Sequence, residues 1–226
     1  MTQTLVIAAH PDDEVLGCGA TLARLTKRGD QVKIAILGEG ITSRFAKQDE
    51  VQRSAIKSLQ AQSLLAGRCL GINDIIHHQL PDNQFDTIPL LQIVKIIEEL
   101  ISNFRPTVIF THHGADLNID HSIVHRAVLT ATRPIPNQPV KDIYAFEIPS
   151  STEWYFQKNS SFHPNVFFDV EETLELKLQA LECYQSEMRE FPHPRSLQAV
   201  QTIAERWGSV VGIKAVEAFE LIRSIR

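Results

Sequence analysis

Residues 5–14 read Leu5-Val6-Ile7-Ala8-Ala9-His10-Pro11-Asp12-Asp13-Glu14. The apolar half shows no polar–apolar alternation, the pattern of a strand covered on both faces of a sheet. Pro11 ends it: its nitrogen has no hydrogen for a ladder, and its ring disfavours a helical residue before it. A small, apolar helix follows from Val15 to Leu25, carrying Gly17, Cys18 and Gly19. One histidine and three acids therefore stand at the carboxyl end of the first strand, against a helix N-terminus. In a doubly wound sheet, ligands bind there. Four ionisable groups between two apolar segments are costly to desolvate unless a charge compensates them, and a divalent metal does so.

Working outward, residues 4–9 are the first strand and 14–27 the first helix. Residues 31–37 form a second strand, and Gly38-Glu39-Gly40 opens a loop with Thr42, Ser43 and Arg44. A long helix runs from 49 to about 69, and 74–78 form a third strand. Pro89 suits the first turn of the next helix, where Leu90, Leu91, Val94, Ile97, Leu100 and Ile101 recur at helical spacing to 103. Residues 107–111 are a fourth strand, and 120–132 are helical. Strand–helix alternation at this spacing predicts an α/β fold with a mostly parallel sheet between two layers of helices. Right-handed crossovers put the second and third strands on one side of the first and the fourth on the other. The loop after His112 then faces the loop holding His10.

After Arg133 the pattern loosens around Pro134, Pro136 and Pro139. Strands are expected at 143–148 and 165–169, and an amphipathic helix at 171–186. Ser196 suits the N-cap of a helix reaching about 207, and 214–222 read as a last strand. With no repeat, low-complexity tract or linker, the whole of 1–226 reads as one domain.

The 226 residues are 43% apolar and 22% charged, with a formal charge of -5, which argues against nucleic acid or an anionic membrane as the main partner. Three widely spaced cysteines, Cys18, Cys69 and Cys183, suit a reducing cytosol rather than a disulfide framework. No signal-peptide pattern or membrane-spanning apolar run is present, so a cytoplasmic location is expected.

A second cluster, Asp116-Leu117-Asn118-Ile119-Asp120-His121, follows the fourth strand, with His125 one helical turn beyond. Imidazole and carboxylate without thiolate is the donor mixture of a catalytic zinc site, although the same donors suit iron, cobalt or manganese. Two histidines and one carboxylate leave a position open for water, whose pKa zinc lowers toward roughly 7. A carboxylate outside the ligand set must accept the water's proton. Asp12 and Asp13 are adjacent, so one can coordinate while its neighbour points at the water.

His10-Pro11-Asp12-Asp13-Glu14 with Gly17-Cys18-Gly19 resembles the signature of the PIG-L/LmbE-like family of zinc-dependent N-deacetylases, and Asp116 to His121 resembles its second metal motif. The tail is similar too, in Pro164 to Asp169, Lys177 to Leu181, and Pro192-His193-Pro194-Arg195-Ser196. The resemblance implies a Rossmann-like α/β/α domain. It implies one zinc ion on His10, Asp13 and His121, with Asp12 as general base. It implies removal of the N-acetyl group from an N-acetylglucosamine-type sugar or its conjugate, and a homo-oligomer. Several members carry a histidine where this chain has Asn118. An amide donates to an oxyanion but is no general acid near neutral pH, so the amine's proton falls to Asp12 or to another histidine such as His193. Asn118 and Asp120 join Asp12 as expected catalytic residues.

Each of these residues also has a plain structural reading. Asp12 and Asp13 suit a helix start, Glu14 a supporting role, and His125 a packing role. Arg44, His193 and Arg195 are candidate substrate-binding groups, or else a solvated loop arginine and a stiff helix entry. Cys18 reads as an inert buried thiol, and Tyr184 as part of an apolar helix face. Two other functions compete: an amidase acting on a thiol-sugar conjugate, and a metal-containing sugar-binding protein without turnover. Gly17 and Gly19 do not complete a dinucleotide fingerprint.

Overall fold

The computed structural model describes residues 1–44, 50–157 and 161–226. Its strands are β1 (Gln3–Ala8), β2 (Gln31–Gly38), β3 (Ile75–Leu80), β4 (Val108–His112), β5 (Asp142–Phe146), β6 (Val166–Asp169) and β7 (Val216–Arg223). Its α-helices are α1 (Asp13–Lys27), α2 (Glu50–Cys69), α3 (Leu90–Phe104), α4 (Ile119–Ala131), α5 (Leu174–Glu182) and α6 (Leu197–Val211). The sheet order is β3-β2-β1-β4-β5-β7-β6. The strands from β3 to β5 pair in parallel, and β7 is antiparallel to both β5 and β6.

Side chains of β1 alternate between two cores. Val6 and Ala8 pack with α1, α2 and α5 on one face. Leu5 and Ile7 pack with α3 and α4 on the other. All four are fully buried, which is why this strand reads as a continuous apolar run. α3 buries Ile93, Val94, Ile97, Leu100 and Ile101, a stripe at helical spacing. Each aliphatic side chain taken out of water in this way stabilises by about 1.5–3 kcal/mol.

The predicted order around the first strand is the observed one. β1 lies between β2 and β4, with Ile7 opposite Thr111. The carboxyl ends of β1 and β4 are therefore neighbours, at the point where the chain changes winding direction, and the crevice there receives both sequence clusters.

Several boundaries differ from expectation. The predicted start of the second helix at position 49 lies outside the described residues. The helix expected over 171–186 is only Leu174–Glu182. Beyond it the chain tightens to three-residue turns, Tyr184 N–H to Leu181 O and Glu187 N–H to Tyr184 O. These turns aim Tyr184 and Glu187 at the crevice rather than along a helix face. α1 is broken at Cys18 (φ -149°, ψ 15°). The amides of Ala20 and Thr21 are held by the buried carboxylate of Glu217, and the Leu16 carbonyl by Lys177 Nζ. Lys177 and Glu217 bond to each other at 2.7 Å. No helix among the described residues is long and apolar enough to cross a membrane.

Candidate metal centre

β1 delivers His10 to the crevice, and the turn through Pro11 delivers three acids in succession. Asp12 takes a left-handed backbone conformation (φ 105°), a region that costs a non-glycine residue about 1–3 kcal/mol and persists only where neighbours enforce it. Glu14 enforces it: its Oε2 accepts the Asp12 N–H at 3.1 Å, and its Oε1 accepts the Tyr184 hydroxyl. The sequence reading gave Glu14 a supporting role; that role is to hold the backbone of Asp12. Gly40 packs beneath the same turn, where a Cβ would stand 2.5 Å from Pro11 Cδ.

Asp13 is fully buried among three imidazoles. Its Oδ2 accepts the His10 N–H at 2.8 Å and lies 3.4 Å from His10 Nδ1 and 3.3 Å from His121 Nε2. Its Oδ1 is buried with no hydrogen-bond partner, and so is His121 Nε2. Burial opposes charge on Asp13, but His121 and His10 outweigh it and hold the carboxyl well below its usual range.

His10, Asp13 and His121 offer donor atoms that all lie within 4.8 Å of one another. A shared cation with ligand bonds of about 2.0–2.2 Å closes such separations by small side-chain rotations. His10, Asp82 and Asp120 form a second group of the same span, but its carboxylates are already engaged. Asp120 Oδ1 accepts Phe85 N–H at 2.9 Å, and its Oδ2 accepts Asn83 N–H at 2.7 Å and lies 2.9 Å from His10 Nε2. Asp82 Oδ2 accepts both the amide and the hydroxyl of Ser43. Only the first group keeps buried donors without partners, so the first group fits a metal.

α4 begins at Asn118, an N-cap whose side-chain oxygen accepts the Asp120 N–H at 2.9 Å. That bond fixes the amide's orientation and leaves its NH₂ free to donate. Asp116 anchors the same loop through Thr152 Oγ1 at 2.6 Å, the Ser151 hydroxyl and Asn118 N–H, and lies 3.1 Å from His121 Nδ1. Burial raises its pKa, but the bonds to His121, Ser151 and Thr152 prevail and lower it to about 2. His112, at the end of β4, accepts the Ala9 N–H at 2.8 Å and stacks on His121 with ring centroids 4.0 Å apart. His125 donates its Nδ1–H to the His112 carbonyl oxygen at 2.8 Å, so it supports the loop instead of facing the candidate metal group.

The remaining predicted residues part company. Arg195 Nη1 reaches Asp12 Oδ2 at 2.7 Å and its Nε reaches Ser150 Oγ at 2.9 Å. Burial raises Asp12 well above its usual value; Arg195 opposes the shift, while Asp13, Glu187 and Glu14 add to it. Arg44 forms a two-pronged bond to Glu187 at the cleft wall. His193 does not line the cleft. Its Nδ1 accepts the Arg195 N–H, and its ring meets Trp154 edge-on, so it braces the turn that carries Arg195. Cys18 is buried and its thiol donates to the Glu14 carbonyl.

Asp82, Asn83 and Glu187 line the cleft and were not among the predicted residues. Asp82 and Asn83 had a visible signal, a polar loop after the third strand at the same sheet edge. Glu187 had none, because it stands just past the end of the helix expected over 171–186, far in sequence from both site motifs.

Residues 5–132 match the family model PIG-L, described as GlcNAc-PI de-N-acetylase. The chain is 33% identical over 190 residues to the uncharacterized deacetylase YaiS of Escherichia coli (strain K12), covering 80% of this chain and 90% of that protein. It is 28% identical over 188 residues to a probable N-acetyl-alpha-D-glucosaminyl L-malate deacetylase 2 of Bacillus cereus, covering 81% and 82%. Its fold is shared with the N,N'-diacetylchitobiose deacetylase of Pyrococcus horikoshii, with a TM-score of 0.78 at 18% identity over 98% of this chain and 84% of that one. With more than half its length under the family model and a relative of this identity spanning most of both chains, the protein belongs to the PIG-L family of de-N-acetylases.

Proposed function

We propose that this chain is a zinc-dependent N-deacetylase that removes the acetyl group from an N-acetylglucosamine-type sugar or its conjugate. One observation carries the reading. A buried imidazole–carboxylate–imidazole group with unpartnered donors stands beside a carboxylate outside that group, Asp12, at the mouth of a polar cleft. His10, Asp13 and His121 hold the metal. When bound there, zinc supplies Lewis acidity, polarising an amide carbonyl and lowering the pKa of water toward about 7.

Asp12 takes the proton of the attacking water, and the elevated pKa imposed by its burial makes it a stronger base than a free aspartate. Arg195 holds its carboxylate in place. The NH₂ of Asn118 donates to the oxygen that gains charge in the tetrahedral transition state. Asp12 then returns the proton to the departing amine. Asp120 orients His10 through Nε2, in the manner of a carboxylate behind a metal-ligating histidine. Asp82 and Arg44, on the cleft wall, supply an acceptor and a donor for sugar hydroxyls.

The test is metal analysis of the purified protein, together with acetate release from N-acetylglucosamine, its malate glycoside and diacetylchitobiose. The reading expects bound zinc and equimolar acetate and free amine from at least one of them. Release from thiol-sugar amides alone would move the assignment to an amidase, and zinc and sugar binding without acetate would leave a binding protein.

A further inference from the structure

Cys69 is the last residue of α2 and Cys183 caps α5. Their sulfur atoms lie 4.0 Å apart, across 114 positions of sequence. That is van der Waals contact between two free thiols. Both are half-buried, whereas Cys18 has no exposure. Both flank the core cluster that α2 and α5 share with α1. Both residues keep part of their surface in solvent, and a disulfide requires the sulfurs to close from 4.0 Å to about 2.05 Å.

We propose that Cys69 and Cys183 form a dithiol site that a low-molecular-weight disulfide of the glutathione class converts to an intramolecular disulfide. One cysteine thiolate attacks a sulfur of the small disulfide, forming a mixed disulfide and expelling one small thiolate. The second cysteine thiolate attacks the protein sulfur of that mixed disulfide, closing Cys69–Cys183 and expelling the other small thiolate. Two protein thiols are oxidised, one small disulfide is reduced, and the two cysteine protons end on the two departing thiolates. Burial, and then the neighbouring Cys69 thiol, push Cys183 up to about 11. Exchange is therefore slow at neutral pH, and equilibrium rather than rate is the informative readout.

The position gives the bond a consequence. The segment just before α2 carries Arg44, and the segment just after Cys183 carries Tyr184 and Glu187. Arg44 and Glu187 pair across the cleft wall, and Tyr184 bonds to Glu14. A Cys69–Cys183 bond fastens together the two segments whose other ends build that wall.

The full chain is equilibrated in glutathione buffers of graded oxidation, quenched with an alkylating reagent, and analysed by intact mass and peptide mapping. A species lighter by two hydrogens is expected, with the peptide of Cys69 joined to that of Cys183 and Cys18 still alkylatable after unfolding. Closing so long a loop raises Tm by about 10–20 °C. Cys69→Ser and Cys183→Ser each stop at a glutathione adduct on the remaining thiol, while Cys18→Ala keeps the cross-link. A wild-type chain that stays a dithiol in fully oxidised glutathione, that carries only glutathione adducts, or that cross-links through Cys18 overturns the proposal.

Discussion

Arg195 and Asp12, separated by 183 positions in sequence, meet at 2.7 Å at the mouth of the candidate metal centre. The contact joins the loop between α5 and α6 to the turn after β1, and so brings a C-terminal segment to the site. The same guanidinium also bonds Ser150, so both its position and its direction are set.

A lysine cannot reproduce that two-directional grip. Arg195→Lys keeps a positive charge beside Asp12 and keeps the fold, but it leaves the carboxylate less firmly placed. Misplacement of a reacting group by about 1 Å costs on the order of 100-fold in rate. The expected result is a kcat lower by about 10–100-fold at unchanged metal content, read from acetate release and elemental analysis of the same sample.

Asn118 caps α4, and the proposed mechanism gives it a second job as oxyanion donor that one substitution can separate from the first. Serine is as good an N-cap as asparagine, but its hydroxyl is too short to reach the cleft. Asn118→Ser should therefore melt within a few degrees of the wild type while losing about 10²–10³-fold in kcat, the usual effect of removing one oxyanion donor. A large drop in Tm with an unchanged rate would assign Asn118 to the helix alone.

Without a metal, burial opposes charge on His10 and His121, yet the surrounding carboxylates prevail. Asp120 and Asp13 raise His10 to about 10, and Asp13 and Asp116 raise His121 to about 9. An imidazole raised in the folded state stabilises the metal-free protein fully below its unfolded pKa of about 6.5, and that contribution is lost as pH climbs toward the folded value. Metal binding displaces those protons and so has the opposite dependence, growing stronger with pH. The Tm increment produced by zinc over a chelator-treated control should be larger at about pH 8 than at about pH 6. An increment that shrinks over this range contradicts the ligand assignment.

Much of this arrangement was legible in the sequence, because it depends on short-range pattern. The unbroken apolar run before His10 announced a doubly covered strand, and chain order with right-handed crossovers sufficed to place His121 opposite it. What was not legible depends on distant contacts. Nothing in the sequence around 184–187 says that the helix stops early, since that follows from Tyr184 reaching Glu14 and Glu187 reaching Arg44. Arg195 read as a candidate for substrate, but its partner is Asp12. His193 read the same way, but its ring serves the turn that positions Arg195. Long side chains choose partners in three dimensions, and spacing alone does not reveal the choice.

The central claim is that His10, Asp13 and His121 hold the metal while Asp12, outside that set, moves the proton. Asp12→Asn tests it most directly, with metal stoichiometry and acetate release measured on one preparation. The account predicts wild-type zinc content and a rate lower by about 10²–10⁴-fold, the usual contribution of a general base. Acetate release at the wild-type rate from a zinc-loaded Asp12→Asn chain would contradict it.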